Sequence, residues 1–215
     1  MQILIADDHE LMRKGLRTVL ESQPGWKVCG EAVNGRQAVE LARQLTPDVI
    51  VLDVTMPELN GLEATRQIRK ALPKAEVLIL SMHESEQLVS EVLAAGAHGY
   101  ILKADTSRLL VSAVEALSQH KPFFTGKVSE VVLDGYLNRG KVAKGAAGPA
   151  PLLTAREREI VQLLAEGKTN KEVAVRLGVS IKTVDAHRAN VVHKLSLHSV
   201  TDLVRYAIRN KIIEA

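Results

Sequence analysis

Along the first 120 residues, short apolar runs alternate with stretches in which apolar residues recur every three or four positions. Residues 2–6, 27–32, 49–52, 77–80 and 99–102 are aliphatic or β-branched and of strand length. Between them, residues 11–21, 36–45, 62–72, 87–95 and 107–117 carry one apolar stripe each, as an amphipathic helix requires. Strands and helices in strict alternation predict an α/β unit, a doubly wound five-stranded parallel sheet covered on both faces. Ligands of such sheets sit at the carboxyl ends of the strands.

That rhythm stops near residue 120. Residues 128–137 have the pattern of a short linker helix, and residues 140–151, rich in Gly, Ala and Pro, read as a tether. From Leu152 the pattern is helical throughout. Thr154 with Glu157 and Thr169 with Glu172 fit the Thr-x-x-Glu capping box, Ser180 and Ser199 are good N-caps, and Gly167 and Gly178 supply stops. These signals predict an all-α unit of four helices over 155–165, 170–177, 181–195 and 200–209. The middle pair is joined by the tight turn of a helix-turn-helix. The expected division is therefore residues 1–120, a linker over 121–150 and a second domain over 151–215.

Charge adds an asymmetry to this picture. Residues 1–120 hold 12 Lys+Arg against 16 Asp+Glu, whereas residues 151–215 hold 11 against 7. An acidic module is joined to one able to approach a polyanion. The single cysteine, Cys29, excludes an internal disulfide and a cysteine-based zinc site. No apolar run reaches the ~20 residues of a membrane-spanning helix, and the start meets Asp7 and Asp8 without a basic leader, so a cytoplasmic protein with no membrane partner is expected.

The predicted strand ends carry the chemistry. Asp7 and Asp8 follow the first strand, Asp53 the third, Ser81 the fourth and Lys103 the fifth. In a doubly wound sheet the first and third strands are neighbours, so three carboxylates converge and call for a cation. Oxygen donors without His or Cys suit a hard ion such as Mg²⁺. A carboxylate left free can attack phosphorus, with Lys103 and Ser81 placed to stabilise phosphoryl oxygens. An aspartate-based phosphatase would carry a second Asp where Thr55 stands. A dinucleotide-binding domain would carry a Gly-rich loop where Asp7 and Asp8 stand. The reading is not that of an enzyme.

Residues 2–118 resemble a response-regulator receiver domain, of flavodoxin-like fold. The resemblance rests on residues 4–9 (LIADDH), residues 51–57 (VLDVTMP) with Gly61, residues 80–81 (LS) and residues 99–103 (GYILK). It implies that Asp53 accepts a phosphoryl group from a sensor histidine kinase. It also implies that Asp7, Asp8, Asp53 and the carbonyl of Thr55 serve Mg²⁺, Asp7 mainly through water. Ser81 and Tyr100 then resemble a switch pair, and Thr55 and His83 occupy positions that affect the lifetime of the phosphate.

Residues 153–160 (LTAREREI), 167–174 (GKTNKEVA) and 180–187 (SIKTVDAH), continued by Asn190, Lys194, Leu195, Tyr206 and Ala207, make residues 150–211 similar to the LuxR-type helix-turn-helix. The whole chain resembles the NarL/FixJ arrangement, in which phosphorylation controls DNA binding and transcription. On residues 181–195, Val184, His187, Val191 and Leu195 form an apolar stripe, while Lys182, Ala186, Ala189 and His193 share the opposite face. That face, with Thr183, Asp185 and Asn190, is expected in the major groove. Phosphate contacts are expected from Lys171, Lys182, Arg188 and Lys194 and from the helix starts at Thr169 and Ser180. Asp185 stands where many relatives carry Lys; a carboxylate repels phosphate and accepts only from a donor such as cytosine N4. A homodimer on paired DNA half-sites is the assembly the resemblance implies.

Overall fold

The computed structural model describes residues 1–83, 85–125 and 153–213. The predicted linker helix and tether lie outside them. The chain divides into two compact units, Met1–Ala143 and Lys144–Ala215.

In the first unit the strands β1 (Gln2–Ala6), β2 (Lys27–Ala32), β3 (Val49–Asp53), β4 (Glu76–Ser81) and β5 (Gly99–Leu102) alternate with helices α1 (Glu10–Glu21), α2 (Gly35–Leu45), α3 (Gly61–Ala71), α4 (Glu86–Ala95) and α5 (Thr106–Ser118). With a short sixth strand, β6 (Phe123–Phe124), all strand pairs are parallel, in the order β2-β1-β3-β4-β5-β6. Two-residue periodicity sends alternate side chains to opposite faces. Leu4, Ile50, Leu52, Val77 and Ile79 pack on α2, α3 and α4. Ile3, Ile5, Val49, Val51, Leu78 and Leu80 pack on Leu16 and Leu20 of α1 and on Leu110, Val114 and Leu117 of α5. Both faces are dry, which explains the nearly continuous apolar runs. Cys29 is half-buried on β2, its thiol donating to the Ile3 carbonyl.

Among the described residues the sheet has six strands rather than five. Phe123–Phe124 forms β6, pairing Gly99 with Phe123 and Tyr100 with Phe124, so the sheet continues past residue 120. Two residues give no periodic signal; the pairing comes from the β5 edge offered to the chain leaving α5. The turn before it is held by His120, whose Nδ1 lies 2.7 Å from one oxygen of the buried Glu76, while His98 Nδ1 lies 2.5 Å from the other.

Burial holds the His98 pKa below its ordinary 6.5, with Arg69 and His120 acting in the same direction and Glu76 against it. The unfolded chain therefore takes up this proton first. Stability is unaffected by His98 above pH 6.5 and is lost as pH falls below that value. As pH drops from 7.5 to 5.5, thermal melts should show the stability of His98→Gln falling less, or rising more, than that of the native chain; equal slopes would refute the assignment.

The second unit consists of α6 (Ala155–Ala165), α7 (Asn170–Leu177), α8 (Ile181–Leu195) and α9 (Val200–Arg209). Thr154 and Thr169 make complete capping boxes with Glu157 and Glu172, and Ser180 and Ser199 cap α8 and α9. Gly167 and Gly178 adopt left-handed φ values of 81° and 63° where the chain leaves α6 and α7. Val184 packs into one apolar cluster with Ile160, Leu163, Val173 and Leu177. Val191 enters a second with Leu153, Val161, Leu203 and Ala207. The inner face of α8 is thus fixed by α6, α7 and α9.

Candidate functional site

Topology gathers the acidic pocket. Asp7 and Asp8 follow β1, Asp53 and Ser81 are the last residues of β3 and β4, and Lys103 follows β5 at the start of a 3-10 turn. Lys103 Nζ lies 2.9 Å from Asp7 Oδ2 and 2.9 Å from Asp53 Oδ2, and all three side chains are buried. The Arg13 guanidinium donates to the carbonyls of Asp7 and Asp8, tying α1 to this loop. Thr55 is half-buried in the loop after β3. Asn60 caps α3 by accepting from the Glu63 N–H, and Gly61 N–H donates to the Val54 carbonyl, so the loop closes back onto the strand end that carries Asp53.

One buried lysine thus serves two buried carboxylates with a third beside them. Burial pushes the Asp53 carboxyl from its ordinary 3.8 up to about 7; Lys103 pulls it down, while Asp7 and Asp8 push it further up. For Lys103, burial works against its charge, but the bonds to Asp7 and Asp53 outweigh it and hold the ammonium above its ordinary 10.5. The lysine stays charged, and the pocket is left short of positive charge. The acids also gain a neighbour outside the oxygen-only set expected above. His9 donates its N–H to Asp7 Oδ1, and its Nδ1 lies 2.9 Å from Asp8 Oδ1. Ligand atoms of Asp7, Asp8 and His9 lie within 4.8 Å of one another.

Ser81 and Tyr100 meet at a single carbonyl. Tyr100 is wholly buried and donates its hydroxyl to the His83 carbonyl at 2.7 Å. Ser81 Oγ donates to the same oxygen at 2.8 Å and accepts from the His83 N–H. Sequence reading singled out the His83 side chain. That side chain is exposed, and it is the main chain of His83 that links the pair.

In the second unit, Lys171, Lys182, Asp185, Ala186, Arg188, Ala189, Asn190 and His193 are exposed, and Thr183 is half-buried. At two of the expected phosphate contacts the side chain has a partner within the unit. Lys194 Nζ contacts both oxygens of the buried Glu157, at 2.7 and 2.8 Å, which ties α8 to α6. At Thr169 both the N–H and the hydroxyl donate to Glu172. Ser180 and Thr183 share a hydroxyl–hydroxyl bond of 2.8 Å. Asn170, which sequence reading passed over, donates to Asp185 at 2.6 Å.

Replacing Lys194 by alanine should lower stability by about 2 kcal/mol, because the Glu157 charge is left buried without its cation. The double variant Glu157→Gln/Lys194→Met keeps a capping residue at 157 and should recover most of the loss. Denaturant unfolding measures both; an unchanged midpoint in the single variant would show the pair to be idle.

Residues 3–115 match the family described as "Response regulator receiver domain", and residues 151–207 match "Bacterial regulatory proteins, luxR family". Full-length relatives include the transcriptional regulatory protein LiaR of Bacillus subtilis, 39% identical over 99% of both chains. The oxygen regulatory protein NreC of Staphylococcus carnosus is 37% identical over the whole of both. Among solved structures, the Salmonella typhimurium RcsB response regulator aligns with a TM-score of 0.63 over 96% of each chain at 26% identity. RcsB bound to promoter rprA in the presence of phosphomimetic BeF3⁻ aligns with a TM-score of 0.60 at 28% identity, over 96% of this chain and 97% of that one.

Proposed function

The chain belongs to the two-component response regulators that join a receiver domain to a LuxR-type helix-turn-helix, and from that premise we propose that Asp53 is its phosphoacceptor and α8 its DNA-reading helix. The family is one of transcription regulators rather than enzymes. The single observation that carries the assignment is the buried Asp7–Lys103–Asp53 cluster at the carboxyl end of the sheet.

An Asp53 oxygen attacks the phosphorus of a phosphohistidine on the sensor kinase. A P–O bond forms as the P–N bond breaks, and the electron pair returns to the imidazole. Asp7, Asp8, Asp53 and the Thr55 carbonyl would hold Mg²⁺, for which their oxygen donors are suited. When bound, that ion neutralises charge among the carboxylates and on the phosphoryl oxygens. With a carboxyl pKa near 7, Asp53 is only partly ionised at neutral pH until a cation favours its nucleophilic form. Lys103 keeps its charge and can leave Asp53 for a phosphoryl oxygen while retaining Asp7. Ser81 must exchange the His83 carbonyl for the phosphate, which frees that carbonyl to move with Tyr100. A phosphate that bound both arrangements equally would shift nothing, so these exchanged bonds are where the preference arises.

The output is sequence-specific DNA binding, by a homodimer on paired half-sites and in the cytoplasm. Among the described residues no helix is long and apolar enough to cross a membrane. The receiver takes residues 1–120 extended by β6, the connection runs to residue 150, and residues 151–215 read DNA. Adding beryllofluoride and Mg²⁺ to the intact chain should change its affinity for target duplexes selected from a random pool, and Asp53→Asn should remove the response. Beryllofluoride that neither binds nor alters DNA affinity would overturn the switch.

A further inference from the structure

The exposed face of α8 carries one residue whose charge opposes its surroundings. Asp185 lies between Lys182 and Arg188, each three residues away and close enough along the helix to pair with a carboxylate. Its carboxylate takes its hydrogen bond from neither. Oδ1 accepts instead from Nδ2 of Asn170, 2.6 Å away on the first turn of α7. The amide must present nitrogen here, since the opposite orientation would set two oxygens against each other. A hydrogen bond between neighbouring helices thus fixes the direction of a side chain that would otherwise swing onto its own helix's cations.

We propose that Asn170 and Asp185 together form a base-reading device that selects cytosine in the major groove. The proposal rests on α8 being the DNA-reading helix and adds which base one position of it prefers. With Oδ1 engaged, the carboxylate offers Oδ2 as a single acceptor. Guanine presents O6 and N7 and thymine O4, all acceptors, which repel it. Adenine has an amino group with the N7 acceptor beside it. Cytosine presents its N4 amino group with no ring acceptor on that edge and fits best. Ala186 and Ala189 are small and exposed, so the backbone of α8 can come near enough for a side chain as short as aspartate to reach. Lys182 and Arg188 are free to hold phosphates on either side, which sets the register at which Asp185 meets a base.

The test is enrichment from a randomised duplex pool by the intact chain, with beryllofluoride and Mg²⁺ present, for the native protein and for Asp185→Ala, Asp185→Asn and Asn170→Ala. The native chain should enrich cytosine about tenfold at one position of each half-site. Asp185→Ala should lose that preference alone, keep the others, and bind mismatched duplexes at least as well, because a charge that repels phosphate is gone. Asp185→Asn should shift the preference toward adenine, which an amide can bond through both N6 and N7. Asn170→Ala should weaken the cytosine preference severalfold at the same position. Circular dichroism melts of each variant separate reading from mere structure. Lower melting temperatures with every position blurred alike would make the pair a helix clamp and overturn the proposal. So would an Asp185→Ala preference unchanged at every position. A native chain that enriches no sequence would instead defeat the DNA-binding reading itself.

Discussion

Asp53→Asn is expected to abolish phosphoryl uptake and, at the same time, to make the protein more stable at alkaline pH in the absence of divalent cations. The first effect follows from the loss of the only oxygen nucleophile at the end of β3. The second follows from what burial does to the native side chain. Its folded-state pKa of about 7 lies above the ordinary 3.8, so the folded form binds a proton that the unfolded chain has released. Stability from this group is complete below pH 3.8 and is lost as pH rises through 7. A neutral amide escapes the loss but gives up the charge attraction of Lys103, leaving a net gain of about 1–2 kcal/mol at pH 8. At pH 5 the gain should nearly vanish. Thermal melts at the two pH values and labelling with an acyl phosphate measure both effects. A variant that still takes up phosphate, or whose stability gain is the same at pH 5 and pH 8, would contradict this account.

Gly61→Ala is expected to cost at least about 3 kcal/mol of stability and to slow phosphorylation tenfold or more. A Cβ at Gly61 would stand 1.9 Å from the Asp53 carbonyl oxygen and 2.9 Å from its carbon. Both are backbone atoms, so no rotamer change relieves the clash. The collision falls on the residue that carries the nucleophile, and it also strains the 2.7 Å bond from Gly61 N–H to the Val54 carbonyl. Gly15 supplies the contrast: it lies inside α1, a Cβ there meets nothing within 4 Å, and Gly15→Ala should add about 0.5–1 kcal/mol. Denaturant unfolding of the two variants, with labelling rates for Gly61→Ala, checks the pair. Equal stabilities would show that the loop yields where the geometry says it cannot.

Most of the architecture was legible because local rules agreed with the fold. Among the described residues, period-two and period-3.6 patterning placed the first five strands and the nine helices to within a residue or two. Thr154, Thr169, Ser180 and Ser199 marked helix starts through bonds made within four residues. The convergence of Asp7, Asp53 and Lys103 was legible because strand order in a doubly wound sheet dictates it. What escaped was pairing across long separations, about which periodicity says nothing. Glu76 meets His120 across 44 residues, Glu157 meets Lys194 across 37, and Asn170 meets Asp185 across 15. His83 was noticed for its ring, whereas its contribution here is a carbonyl, an atom every residue possesses. The glycine at 61 was noticed by resemblance, and the physical requirement behind it is room beside another backbone.

The short strand β6 changes how the exit from the receiver is to be understood. Tyr100 and Phe124 are register partners, and Thr125 Oγ1 lies 3.5 Å from the Tyr100 carbonyl. The chain departing toward the DNA-reading unit is therefore stitched to the strand that carries the buried tyrosine. Whatever displaces that strand pulls on the departing chain through the backbone itself. The receiver's grip on its output is in this respect a mooring, and among the described residues of the first unit its last cleat is Thr125.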